Sequence, residues 1–413
     1  AEAAPLYIDD ASDYLFAGDQ VGNIVTGMAH PDIEVDYPIT VTKVKIIQSG
    51  NKITVTDQNG DDYTIESATL DEGTTISDSK GDIYKVDENG VVRQIGTISN
   101  EQGFAQQFEQ EQGVQSESQS VRVKFEAAAE NRWAFDSYDS DYDGVDVFTG
   151  EYPKFADRYV SWALVPEGKT GKLLARVEGA DVSKEDIVFR TSAGTEYIHE
   201  KVGSAFELTV ASARHGDGQE LFAWVKQDTV WAKAGQVNIA SYATKRLDVM
   251  LVPVGAAAID KGAYSEQVNR IYNPVGIYLN VETAAPITDM SWDRQGNGLQ
   301  TDSSEFFSRY TEEMRALNQK FTDRGTLNAQ TIYIFVMDQP AEASMQLLGD
   351  MPIKSQFGYL FGKNSQKVGK TLAHELGHGI FQLHHTFSDK IGLEKLSTTN
   401  LMDYTSTGTH LVK

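Results

Sequence analysis

The chain has 413 residues, 40% of them hydrophobic and 23% charged, with a net charge of −24 and no cysteine. That length accommodates two or three domains, each with its own core, and the lack of cysteine excludes disulfides, thiolate metal ligands and a cysteine nucleophile. Residues 1–119 carry 22 acidic and only 6 basic side chains, which argues against nucleic acid as a partner, because that binding relies on basic groups neutralising phosphates.

No apolar run approaches the roughly 18 residues that cross a bilayer, so no transmembrane segment is expected. The opening AEAAPLYIDD has neither a basic region nor a long apolar stretch, so no signal peptide is visible. Cysteine-free chains are frequent among exported bacterial proteins, and a secreted or cell-surface, bacterial protein is the expectation.

In chain order, residues 1–98 read as a small β-rich module. ITVTKVKIIQ and KITVTDQNGDDYTI alternate apolar and polar residues between Ser49-Gly50-Asn51 and Asn59-Gly60, a hairpin signature. An internal echo runs at a spacing of 30, with Ile53, Asp57, Asn59, Gly60 and Ile65 matched by Ile83, Asp87, Asn89, Gly90 and Ile95. Residues 99–120 shift to Gln, Glu, Ser and Gly and read as a linker.

Strand patterns return over 121–242 in VRVKFEA, YVSWALV, KLLARVEG, AFELTVA, ELFAWVKQ and QVNIASY. Their spacing predicts a β-sandwich, with an immunoglobulin-like topology among those that fit. Within it DSDYDG, Asp139 to Gly144, has acidic residues at alternate positions before a glycine. An EF-hand loop starting there would need a bidentate Glu where Gly150 stands, so the choice is between an acidic turn and some other Ca2+ site.

From 243 to 413 the pattern becomes strand, helix, strand, helix, strands, helix, which predicts an α/β (α+β) domain. The strands are Leu247 to Val254, Val275 to Glu282, Thr331 to Asp338 and Gln356 to Gly362. A helix over 302–322 carries Phe306, Tyr310, Met314, Leu317 and Phe321 as one stripe. The last helix starts near Val368, with Val368, Leu372, Leu376, Ile380 and Leu383 on one side and His374 and His378 roughly opposite.

Five of the eight histidines lie in the last 40 residues: His374, His378, His384, His385 and His410. One helical turn separates His374 from His378, so two imidazoles can reach one metal ion, and Glu375 stands where a carboxylate can take a proton from water at the metal. A third histidine, His384, follows six residues after His378. A continuous helix would carry it about 9 Å further along the axis, so the chain must turn back after about Gly379 if His384 is to bind.

HExxH with a further histidine at this spacing resembles the metzincin zinc peptidases, and NLMDY, with Met402, resembles their Met-turn. The resemblance covers roughly residues 245–413. It implies Zn2+ held by His374, His378 and His384, with Glu375 as general base, Met402 below the site and a protein or peptide as substrate. Tyr404 is either a tyrosine that approaches the zinc or the oxyanion, or a structural one. His385 and Glu394 are the alternatives for the third ligand, since Phe381 stands where the family has a glycine that lets the chain leave the helix. One of the strands before the helix, 331–338 or 356–362, is expected to offer an edge to the peptide. The N-terminal modules would bind a partner or cover the active site. The alternative function is a binding or adhesion protein that carries an inactive or latent peptidase-like domain. Asp403 and His410 are expected at the surface.

Overall fold

The computed structural model describes strand backbone between 45 and 98 and, in detail, chiefly residues 120–138, 152–212, 218–227, 230–301, 310–337, 347–362, 368–389 and 391–404. The DSDYDG segment, most of the 99–120 segment, Phe306 and His410 lie outside the described residues. The protein is β-rich with several sheets and divides into two compact units, the second beginning at Thr244. No helix among the described residues is long and apolar enough to cross a membrane.

In the first unit, Lys45–Ser49, Lys52–Thr56 and Asp62–Glu66 form an antiparallel sheet with Ser49 opposite Lys52 and Thr56 opposite Asp62. The 30-residue echo appears again as the antiparallel pair Asp82–Val86 and Val92–Ile98, where Val86 faces Val92. This second pair does not stand apart as a module ending at 98. Ile98 is paired with Thr195, and Ile83 and Ile95 are buried in one core with Phe125, Phe189 and Phe206. A two-stranded hairpin cannot bury its own apolar face, so it completes that face on a larger sheet.

That sheet has nine strands, and a second of four strands, His199–Val202, Ala205–Ala211, Thr170–Glu178 and Arg122–Ala127, shares its core. Alternation decides which residues enter: Val123 and Phe125 from one strand, Leu173 and Ala175 from its neighbour, Leu208 and Val210 from the next. The result is a sandwich over the region where regular strand spacing predicted one.

The second unit is built on a five-stranded sheet. Its strands are β1 (Lys245–Pro253), β2 (Ile277–Thr283), β3 (Thr331–Met337), β4 (Gly349–Asp350) and β5 (Phe357–Phe361), in the order β2-β1-β3-β5-β4. All neighbours are parallel except β4, which runs antiparallel to β5 at the edge. Neither strand expected to offer a peptide edge is an edge: β3 lies between β1 and β5, and β5 between β3 and β4.

Helix α1 (Lys261–Tyr272) begins where the Asp260 carboxylate accepts the Ala263 amide, and α2 (Glu312–Thr322) where Thr311 accepts that of Met314. Helix α3 (Val368–Gly379) carries the HExxH residues. The central strand β3 is buried along its whole length because both faces are covered. Its Ile332, Ile334 and Val336 meet the core shared with α1 and α3, while Tyr333, Phe335 and Met337 meet Met314 and Leu317 of α2.

Helices α1 and α3 come together at Gly369, whose amide donates to Gln267 Oε1 over 3.1 Å. A Cβ there would stand 2.1 Å from Gln267 Cβ, so the approach requires glycine. Gly369→Ala is expected to cost about 1–3 kcal/mol in urea unfolding of the full chain, the range for overpacking a tight contact.

Candidate metal centre

The site helix is held by the face that its leucines define. Leu372, Leu376 and Ile380 are buried in the core with Val268 and Tyr272 of α1 and Leu401 and Met402 of the C-terminal loop. The Tyr272 hydroxyl donates to the Ala373 carbonyl over 2.7 Å. His374 and Glu375 are buried as well, at 8% and 5% exposure, so the side opposite the leucines is roofed rather than open along its length.

The chain leaves the helix after Gly379. Phe381, in the place of the expected glycine, stacks at a tilt against Tyr272 with ring centroids 5.3 Å apart. The left-handed residue is the next one, Gln382, with φ 55°. Such a conformation costs a non-glycine residue about 1–2 kcal/mol, and the packing of Phe381 into the core offsets it. The turn closes where the Leu383 amide donates to the Gly377 carbonyl over 2.9 Å.

Moving the turn by one residue moves the third histidine by one residue. The imidazoles of His374, His378 and His385 converge, and His384 supplies no atom to the group. The structure thus brings His385, three residues after the left-handed Gln382, to the place where His384 was expected. The signal was in the sequence: an aromatic that belongs in the core cannot also be the residue that turns the chain.

The three Nε2 atoms form a near-equilateral triangle. His374 and His378 are 3.2 Å apart, His374 and His385 3.2 Å, and His378 and His385 3.1 Å. Two nitrogens on a tetrahedral Zn2+ at the usual bond length of 2.0–2.1 Å stand about 3.3–3.4 Å apart, so the triangle fits that ion closely.

The backbone selects the tautomers. His374 Nδ1–H donates to the Leu401 carbonyl over 2.9 Å, and His378 Nδ1–H to the Leu383 carbonyl over 2.7 Å. Each neutral ring then presents a bare Nε2 lone pair to the other, with no proton between them. Burial lowers the pKa of all three rings, aided by the Lys370 charge at His374 and by repulsion from the neighbouring histidines at the other two, to about 3 for His378 and about 2 for His385. Three neutral imidazoles facing one another are a donor set for a cation.

Glu375, the residue after His374, packs against the edge strand. A Cβ on Gly349 would fall 2.4 Å from Glu375 Oε1, so the carboxyl rests on the bare backbone of β4. Burial, reinforced by the negative charge of Asp350, raises its pKa well above the ordinary carboxylate range, against a hydrogen bond from the Met351 amide.

Met402 sits beneath the helix: a Cβ on Gly377 would meet its sulfur at 2.7 Å. Tyr404 is 45% exposed, and its ring packs 4.9 Å from His385 and 5.7 Å from His374. His385 also stacks on Phe387 at 4.7 Å, and Lys395 Nζ lies 4.5 Å from the Tyr404 ring centre. Glu394 is exposed and belongs to no ligand group among the described residues. Asp403, expected at the surface, is 1% exposed. Its carboxylate accepts the amides of Leu396, Thr398 and Tyr404, which explains how a charge survives there.

Metal content separates the two adjacent histidines. His385→Ala is expected to abolish stoichiometric Zn2+ retention after dialysis, and His384→Ala to leave it at one per chain; the reverse pattern would return the third ligand to His384.

No family model and no curated protein matches the chain. Among solved structures it is similar to a chain in a crystal structure of the titin domains z1z2 in complex with telethonin, at 15% identity and a TM-score of 0.16, over 23% of this chain and 54% of that chain. The match spans about half the length of that structure, and a likeness so slight carries no argument.

Proposed function

We propose that the second unit is a zinc-dependent endopeptidase domain of metzincin-like type. The observation that carries this reading is the triangle of His374, His378 and His385 Nε2 atoms, 3.1–3.2 Å on a side, on the same helix end as the buried Glu375. Supporting it are a methionine under the helix, carbonyl partners for two of the ligating rings, and the edge strand next to Glu375. The ligand spacing is one residue longer than the pattern the sequence resembles.

When bound, Zn2+ would supply a Lewis acid that polarises a peptide carbonyl and makes water acidic enough to attack it near neutral pH. The chain's own residues do the rest. The three imidazoles, two of them oriented by their Nδ1–H bonds, would hold the ion and leave room for a further ligand. Glu375 takes the proton of the attacking water and passes it to the leaving amine. Strand β4 pairs only with β5 among the described residues, so an extended peptide can add along its other side as a further strand.

Glu375→Gln puts a carboxamide in the same space but removes the base. It is expected to retain one Zn2+ per chain while cleavage of an unfolded protein falls by at least about 100-fold; cleavage at the wild-type rate would require another base. Gly349→Ala, which pushes a methyl group into the Glu375 carboxyl, is expected to lower kcat with Zn2+ content unchanged.

A further inference from the structure

Asp403 follows directly on the methionine turn, and nothing in the chemistry above uses it. Both of its oxygens are committed. Oδ1 accepts the amides of Leu396 at 2.8 Å and Tyr404 at 2.7 Å, and Oδ2 accepts the Thr398 amide at 2.9 Å and the Thr398 hydroxyl at 3.0 Å. The chain of bonds continues from there. Thr398 Oγ1 accepts the Asn400 amide at 3.2 Å, and Asn400 Oδ1 accepts the Met402 amide at 2.8 Å. The Asp403 amide closes the ring by donating to the Asn400 carbonyl at 3.1 Å.

Leu401 lies inside this ring, and its carbonyl is the group that receives His374 Nδ1–H. Tyr404, whose amide Asp403 holds, places its ring against His374 and His385. On the other flank, Leu396 is held left-handed at φ 69° although 59% of it is exposed, so no burial of its side chain accounts for the strain. Its amide is tied to Asp403, and the preceding Lys395 is thereby set over the Phe387 and Tyr404 rings.

We infer that Asp403 is the positioning residue of the site: its carboxylate holds the 396–404 loop in the arrangement that offers the Leu401 carbonyl to His374 and the Tyr404 ring to His385. This rests on the metal-site reading above. It assigns Asp403 a task distinct from general loop stability, because the ring of bonds it anchors encloses Leu401, whose carbonyl selects the His374 tautomer, and because it holds the amide of Tyr404, whose ring walls His385. An asparagine cannot substitute. One of its two positions becomes a donor, facing either the Leu396 and Tyr404 amides or, if flipped, the Thr398 amide, so at least one of the four hydrogen bonds turns into a donor–donor contact.

The test is Co2+ binding by the full-length metal-free protein, read by the visible absorption of the bound ion and by competition with a chelator. Wild type is expected to take up one Co2+ with the intense bands of a low-coordinate site. Asp403→Asn is expected to bind it about 10- to 100-fold more weakly, with shifted bands and an unchanged far-ultraviolet dichroism spectrum. Thr398→Val, which removes one of the four bonds to Asp403 and the acceptor of the Asn400 amide, should show the same change in smaller measure, and it carries the test if Asp403→Asn does not fold. A wild-type spectrum and affinity in the folded variant would overturn the inference, even if its melting temperature fell, since a loop anchor alone produces that result. Failure of the wild type itself to bind Co2+ would overturn the metal reading and this inference with it.

Discussion

The Nε2 atoms of His374 and His378 turn bare lone pairs toward each other at 3.2 Å, with His385 Nε2 as close to both, and the two lone pairs repel unless a proton or a cation stands among the three rings. Most features of the second unit follow from holding that arrangement. Helix α3 supplies two rings by its own periodicity, one turn apart on one face. The third ring must come from chain that has stopped being helix, so the manner in which α3 ends decides which residue arrives. Phe381 turns inward against Tyr272, Gln382 takes the left-handed conformation, and His385 reaches the other two.

The rings are fixed from behind as firmly as from the front. His374 leans on the Leu401 carbonyl and His378 on that of Leu383, so the two bonds that set the tautomers come from two different segments of chain after the helix. Leu383 does double duty, since its amide also closes the turn on Gly377. Behind these, Leu376, Ile380, Leu401 and Met402 belong to one apolar core with Val268 and Tyr272. A core of this kind is close-packed and yields little, which is what a site of fixed geometry needs.

The first unit is made by different means. Its sandwich comes from alternating residues on many short strands, and its sheet extends by accepting the hairpin of Asp82–Val86 and Val92–Ile98 through the pairing of Ile98 with Thr195. Nearly one hundred residues separate those two partners along the chain. The apolar residues Ile83 and Ile95 gain burial there that a free hairpin does not provide.

Local periodicity, turn chemistry and residue type are properties of neighbouring residues, and they are legible in the sequence. They defined the strand-rich first half, the α/β character of the second, the Met314, Leu317 and Phe321 part of the stripe on α2 (Tyr310 precedes the helix), and a site helix with His374, Glu375 and His378 at their proper spacing. Tertiary structure decided what depends on residues far apart. Whether Phe381 is a turn or a core residue depends on Tyr272, more than one hundred positions away, and that contact moved the third imidazole from His384 to His385. The burial of Asp403 depends on donors gathered by a folded loop, and the edge beside Glu375 on a two-residue strand too short to leave a periodic signal. A sequence pattern records which side chains can share a face; only the folded chain determines which backbone groups and distant rings those side chains will meet.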